Sequence, residues 1–281
     1  MKRILFPTDF SEAANQAFIY ALNLADQMNA AVITLHVFNR PDVRGSHMAI
    51  SLEELFQDMD LSVFENYKDA IPPLNKIAEE NGFGGLDIKH VLEEGPVVEK
   101  IIEVADRDEV DMIVMGTTGA SGWKRILLGS IAGEVLESAN CPALVVPKKG
   151  VFDGTIDQIA FTTTYQEEER KALDGVLAFA KLFDAHVSCI NVDLAHTDFY
   201  THQMDPLRAE FKGNDKVSFH VLDGTDIQES ITEFLKGNAI DIIAMVTHKR
   251  SFLQELFHYS KTKAMTYHSK TPVLSWPAHI L

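Results

Sequence analysis

The chain has 281 residues, 46% of them hydrophobic, and a formal charge of −16. That length suits two ordinary domains better than one oversized core, and the negative charge disfavours nucleic acid and anionic membrane surfaces as partners. Two cysteines, Cys141 and Cys189, neither of them in a CxxC pair, exclude a disulfide scaffold and a cysteine-based zinc site.

Apolar residues alternate between two periods along the chain. Residues 3–7 read as a first strand, followed by a helix capped by Ser11 whose stripe of Ala17, Phe18, Ala21, Leu22, Ala25 and Met28 follows the 3.6-residue repeat. A second strand is predicted at 31–38. The stretch 40–81 is helical in pattern over 52–80, with Pro72-Pro73 expected to break or kink it. A third strand at 87–92, a helix at 97–107, a fourth strand at 112–115, a helix at 131–139 and a fifth strand, Ala143–Val146, complete the series. Such alternation predicts an α/β fold, a parallel sheet covered on both faces.

The series occurs twice. Ile4-Leu-Phe-Pro-Thr-Asp9-Phe-Ser-Glu12 aligns with Ile159-Ala-Phe-Thr-Thr-Thr164-Tyr-Gln-Glu167 at an offset of 155, which also sets Leu35-His-Val37 on Ile190-Asn-Val192. After a 25-residue deletion in the second copy the offset becomes 130. His90-Val-Leu92 then falls on His220-Val-Leu222, Val110-Asp-Met-Ile113 on Ile240-Asp-Ile-Ile243, and Cys141-Pro-Ala-Leu144 on Thr271-Pro-Val-Leu274. Two domains are predicted, 1–149 and 150–281, linked through Lys148-Lys-Gly150-Val-Phe-Asp-Gly154. No apolar run reaches membrane-spanning length and no signal-peptide core opens the chain, so a soluble cytoplasmic protein is expected.

The fourth strand runs into Gly116-Thr-Thr-Gly119, and nine residues later Gly129-Ser130 opens a helix. Glycines remove side chains where a ligand must approach the main chain, and a helix N-terminus offers N–H groups and a positive pole to phosphate. The segment reads as a nucleotide site, the alternative being a glycine-rich packing turn. In its spacing of Gly-x-x-Gly, nine residues, Gly-Ser, it resembles the ATP-binding signature of the universal stress protein family. The opening from Ile4 to Glu12 and the tripeptide Leu35-His-Val37 resemble the same family.

That resemblance implies two tandem domains, each a doubly wound five-stranded parallel sheet of Rossmann-like order 3-2-1-4-5, with the ligand where strand order reverses. It implies ATP, AMP or ADP as ligand, with Mg as accompanying ion. Pro7, Thr8 and Asp9 would contact the nucleoside, Val37 would present backbone groups to the adenine edge, and Met115 would line the base pocket. Gly116, Thr118, Gly119, Gly129, Ser130 and Ile131 would surround the ribose and phosphates. Local readings stay open beside these: Asp9 as a helix-start carboxylate, Val37 and Met115 as core residues, Lys124 and Arg125 as solvated loop residues instead of phosphate contacts. Family members pair their final strands across a dimer. Here Ala143–Val146 and 273–276 are expected to pair antiparallel within one chain, a pseudo-dimer open to higher homo-oligomers and to protein clients of unknown identity.

No P-loop, kinase-like catalytic loop or paired metal carboxylates accompany the glycines. No catalytic residue or metal ligand is assigned, and a nucleotide-dependent stress-response regulator is expected. A slow ATPase or phosphotransferase is the alternative, and a scaffold without nucleotide is a third reading. In the second copy Asp9 becomes Thr164, Gly116 becomes Val246, Gly119 becomes Lys249 and Gly129 becomes Tyr259, while Ser130 survives as Ser260. The Val and the ring are expected to fill the space that ATP requires. Lys249, Arg250, Lys261, Lys263 and Lys270 read as a solvated face or an anion site, and the loop bearing Asp193, His196, Asp198, His202 and Asp205 reads as polar in preference to metal-binding.

Overall fold

The structure, a computed structural model, describes residues 1–39, 52–117, 130–150, 152–247 and 270–278. In β1 (Lys2–Pro7) three consecutive residues, Ile4, Leu5 and Phe6, are fully buried. Successive side chains leave a strand on opposite faces, so Ile4 and Phe6 enter one apolar layer and Leu5 the other. A strand apolar on both faces needs cover on both. α1 (Glu12–Met28) provides the first: Ser11 Oγ accepts from the Ala14 N–H at its start, and Ala14, Ala17, Phe18, Ala21 and Ala25 pack in the Ile4 layer.

β2 (Ala30–Phe38), α2 (Leu52–Glu80), β3 (Ile88–Glu94), α3 (Val97–Arg107), β4 (Met112–Gly116), α4 (Ser130–Ser138) and β5 (Ala143–Val146) follow. The second half runs β6 (Gln158–Thr162), a 3-10 turn at Glu167–Glu169, α5 (Arg170–Lys181), β7 (His186–Asp193), α6 (Phe199–Glu210), β8 (Val217–Asp223), α7 (Ile227–Gly237), β9 (Ile242–Thr247) and β10 (Val273–Pro277). Their strands form one sheet of order β3-β2-β1-β4-β5-β10-β9-β6-β7-β8. Within each half the order is 3-2-1-4-5 and every pairing is parallel. The halves join where β5 and β10 run antiparallel, Val145 opposite Val273, Leu144 opposite Leu274 and Ala143 opposite Ser275. Helices α1, α2, α5 and α6 contribute to one apolar layer and α3, α4 and α7 to the other, and each layer holds residues of both halves.

The duplication is also visible in the backbone. Left-handed residues recur at matched places: Phe10 (φ 59°) and Tyr165 (φ 61°), Asn29 (φ 51°) and Asp184 (φ 54°), Glu109 (φ 48°) and Ala239 (φ 49°). One sequence alignment fails by a single residue. Val32 pairs with Ile88 and Val187 with Val217, so the third strands correspond at an offset of 129, not 130. A one-residue slip moves every side chain to the other face. His90 accordingly bonds Thr34 and Asn75 of α2, whereas His220 lies against Phe234 of α7.

Of the break or kink expected at Pro72-Pro73, the break does not occur, since α2 runs through both prolines. Two N–H donors are lost there, but Tyr67, Leu74 and Ala78 on either side are buried, and packing of that face holds the helix where local propensity opposes it. Among the described residues no helix is long and apolar enough to cross a membrane.

Candidate functional site

From β1 the chain moves to β2 and β3 on one side of the sheet and later returns to β4 and β5 on the other. In open α/β sheets such a reversal is where ligands bind, outside the carboxyl ends of the strands, here β1 and β4. At the tip of β1, the Thr8 N–H donates to the Leu35 carbonyl at 2.8 Å and carries the pairing one residue beyond the strand. Thr8 is 7% exposed, and its Oγ1 accepts from the Phe10 N–H at 3.0 Å. Asp9 Oδ1 accepts from the Ser11 N–H at 3.0 Å, so the carboxylate does take the local role open to it at a helix start. Two side-chain-to-backbone bonds thus fix a tight turn with Phe10 left-handed at its centre.

His36 Nδ1 lies 2.8 Å from the Thr8 carbonyl oxygen, a contact that sequence reasoning missed. The His36 ring sits 4.9 Å from Phe10 and stacks on Tyr67 of α2 at 6.2 Å. Burial raises the pKa of the Tyr67 hydroxyl, which has no hydrogen-bond partner among the described residues. Val37, the next residue of β2, turns to the opposite layer, where Met115, 6% exposed, also packs. Gly116 ends β4 beside Val146, and the Thr117 N–H donates to the Val146 carbonyl at 3.0 Å. Helix α4 begins at Ser130, one residue before the predicted start, and Ile131 is 40% exposed. Pro7, Thr8, Asp9, Val37, Met115 and Gly116 are therefore brought together at the carboxyl ends of β1, β2 and β4. Thr118, Gly119, Gly129, Lys124 and Arg125 lie outside the described residues.

Gly116 calls for a correction. A Cβ there would meet the Ala13 carbonyl at 3.5 Å and the Ala17 Cβ at 3.7 Å, ordinary contacts with α1. Its counterpart Val246 is 4% exposed within the layer that holds α5. A side chain at this position packs against the first helix of its half, so Val246 is core and does not by itself fill a ligand crevice.

The second half closes its own tip differently. Thr163, Thr164 and Tyr165 stand where the first half has Thr8, Asp9 and Phe10, and Glu169 stands where it has Ala14. Glu169, 7% exposed, accepts through Oε2 from the Thr163 hydroxyl at 2.6 Å, the Thr164 N–H at 2.7 Å and the Thr164 hydroxyl at 3.2 Å. A carboxylate has moved from strand tip to helix start and is consumed by the turn. Beside it is a cavity of about 200 Å³, bordered by Tyr165, Arg170, Leu173, Gln203 and Glu210; ligand pockets more often measure about 300–1,000 Å³. The exchange of Ala14 for Glu169 was readable at the 155 offset, because a buried acid needs donors.

Among the described residues no group of three or more His, Cys, Asp or Glu side chains is placed to hold a metal ion. Asp193 instead accepts from the N–H groups of Ala195 at 2.9 Å and Thr197 at 2.8 Å, and His196 bonds Asp223.

The model of the universal stress protein family matches residues 1–147, more than half of the sequence. The chain belongs to the universal stress protein family. One universal stress protein of Methanocaldococcus jannaschii is 35% identical over 147 residues, 52% of this chain and 82% of the relative. A universal stress protein of Synechocystis is 23% identical over 297 aligned positions, covering 98% of this chain and all of its own length (100%). The crystal structure of a universal stress protein from Archaeoglobus fulgidus covers 98% of this chain and 96% of its own with a TM-score of 0.72 at 20% identity, a likeness of fold across both halves. As a universal stress protein, the chain has its family match on the half that carries the glycine series.

Proposed function

We propose that residues 1–147 bind one adenine nucleotide, ATP or its relatives AMP and ADP, and that the chain acts as a nucleotide-dependent stress-response regulator. Residues 1–149 form the nucleotide domain and 150–281 its degenerate companion. The observation that carries this reading is the reversal of strand order between β1 and β4, where Thr8 and Asp9, Val37, and Met115 with Gly116 lie together at the carboxyl ends of the strands. The head of α4 supplies N–H groups and the positive end of a helix dipole to phosphate. The spacing from Gly116 to Ser130, which resembles the family's ATP-binding signature, supports the same ligand. Mg would arrive with the phosphates.

Calorimetric titration of the full chain with ATP should give a stoichiometry near one, and Gly129→Tyr, which imports the residue found at Tyr259, should abolish binding. Two equivalent sites per chain would overturn the reading. Nucleotide analysis during a long incubation separates holding from hydrolysis. Turnover faster than about one per minute, lost on Asp9→Ala, would establish a slow ATPase instead.

A further inference from the structure

His36 and Asn191 occupy the same place in the two halves, 155 residues apart, and are chemically unlike. Both reach the same target. His36 Nδ1 lies 2.8 Å from the Thr8 carbonyl oxygen, and Asn191 Nδ2 donates to the Thr163 carbonyl oxygen at 2.8 Å. A carbonyl oxygen only accepts, so His36 carries a proton on Nδ1.

The turns around these bonds are wired alike. The Thr8 N–H reaches the Leu35 carbonyl at 2.8 Å and the Thr163 N–H reaches the Ile190 carbonyl at 3.0 Å. The Phe10 N–H reaches Thr8 Oγ1 at 3.0 Å, and the Tyr165 N–H reaches Thr163 Oγ1 at 2.9 Å. Size and aromaticity have both changed between His36 and Asn191, while a donor to that one carbonyl has not. A bulky residue held left-handed, as Phe10 and Tyr165 are, is strained and persists only where its surroundings over-determine it.

We propose that His36 is a positioning residue for the nucleotide site: by pinning the Thr8 carbonyl it sets the Thr8–Asp9 peptide plane and so aims Asp9, without touching the ligand itself. The peptide is planar, so fixing its C=O also fixes its N–H and the departure of the Asp9 Cα. His36 faces the layer opposite to Val37 and Met115, on the other side of the sheet from the residues assigned to the base pocket. This inference rests on the nucleotide reading for its ligand, but the clamp itself has a readout that needs no ligand.

The test compares His36→Leu, which removes the donor, with His36→Asn, which installs the donor used by the other half. Hydrogen exchange of the Phe10 and Ser11 amides in the full chain should speed up about tenfold in His36→Leu and stay near native in His36→Asn. ATP affinity should fall about tenfold or more in the Leu variant and no more than about threefold in the Asn variant. A merely structural role predicts that both variants lose thermal stability while affinity is unmoved. Equal exchange in the Leu and Asn variants overturns the clamp. Native protein that fails to bind ATP while exchange follows the expected order overturns the nucleotide reading and the positioning role, and leaves the clamp standing.

Discussion

Gly175 of α5 and Trp276 of β10 share one space: a Cβ built on Gly175 would stand 2.6 Å from the indole Cζ2 and 2.7 Å from Cε2. The matched positions of the first half hold Tyr20 and Val146, so bulk has passed from the helix to the strand between the two copies. Gly175→Ala should therefore destabilise the protein even though alanine is the better helix former. The helix gains about 1 kcal/mol, while overpacking costs about 1–3 kcal/mol. A net loss of about 1 kcal/mol is expected in urea unfolding followed by tryptophan fluorescence. An alanine variant more stable than the native chain would show that the indole yields freely.

Glu169 is the second position where the halves part in chemistry. Its Oε2 satisfies three donors at the tip of β6 while the side chain is almost fully buried. Glu169→Ala should lower stability by about 2–3 kcal/mol, since hydrogen bonds to a charged group are worth about 1.5–3 kcal/mol and the Thr163 and Thr164 donors are left buried. Chemical denaturation measures this directly. A loss under about 0.5 kcal/mol would mean that water replaces the carboxylate at no cost.

The parts of this architecture that follow local periodicity were legible in the sequence, and the parts that depend on facing were not. The series of strands follows from alternation and spacing, whereas the sheet order and the convergence of Asp9 with Gly116 were implied by the family resemblance of the glycine series and the opening segment. The third strands were mismatched because His90-Val-Leu92 and His220-Val-Leu222 share letters, and letters carry no record of which face a residue takes. The direction of a Cβ at Gly116, toward α1, is likewise a property of the packed pair. Pro72 and Pro73 signalled a break that the burial of Leu74 and Ala78 overrides. His36 stood in a tripeptide recognised for its family likeness, yet its partner, the Thr8 carbonyl, is a backbone atom invisible to pattern.

The two thiols should be inert in the native protein. Burial, assisted by the carboxylates of Asp106 and Asp111, pushes the Cys141 thiol up to about 12, and burial alone raises that of Cys189. Thiolate is the reactive form, so neither should be modified by a disulfide reagent at pH 8 until the chain unfolds. The sign of the linkage follows. The folded state keeps the Cys141 proton to about 12, while the unfolded thiol ionises near its ordinary 9.0. Stability from this source is full below about pH 9 and is lost as pH rises toward 12. Rapid labelling of either cysteine at pH 8 under native conditions would contradict the burial argument.

The last prediction concerns the strand pair that joins the halves. In β5 the Pro142 and Val146 carbonyls accept from the N–H groups of Ile113 and Thr117, so alternate residues 142, 144 and 146 face β4. Ala143 and Val145 then turn their N–H and C=O groups to β10, where they lie opposite Ser275 and Val273. On the other side the Ile243 N–H donates to the Pro272 carbonyl, which leaves Val273 and Ser275 facing β5. Leu144 and Leu274, both fully buried, form the closer non-hydrogen-bonded pair between these rungs. Val145→Pro deletes one ladder donor at the joint and forces its φ, in a strand paired on both sides where proline is not tolerated. Because both strands belong to one chain, the joint in the native protein should survive dilution, whereas in the variant the halves should separate or unfold together. Small-angle scattering across a dilution series reads both outcomes as a change in radius of gyration. A Val145→Pro profile superimposable on the native one would show that the apolar layers shared by the two halves, and not this ladder, hold them together.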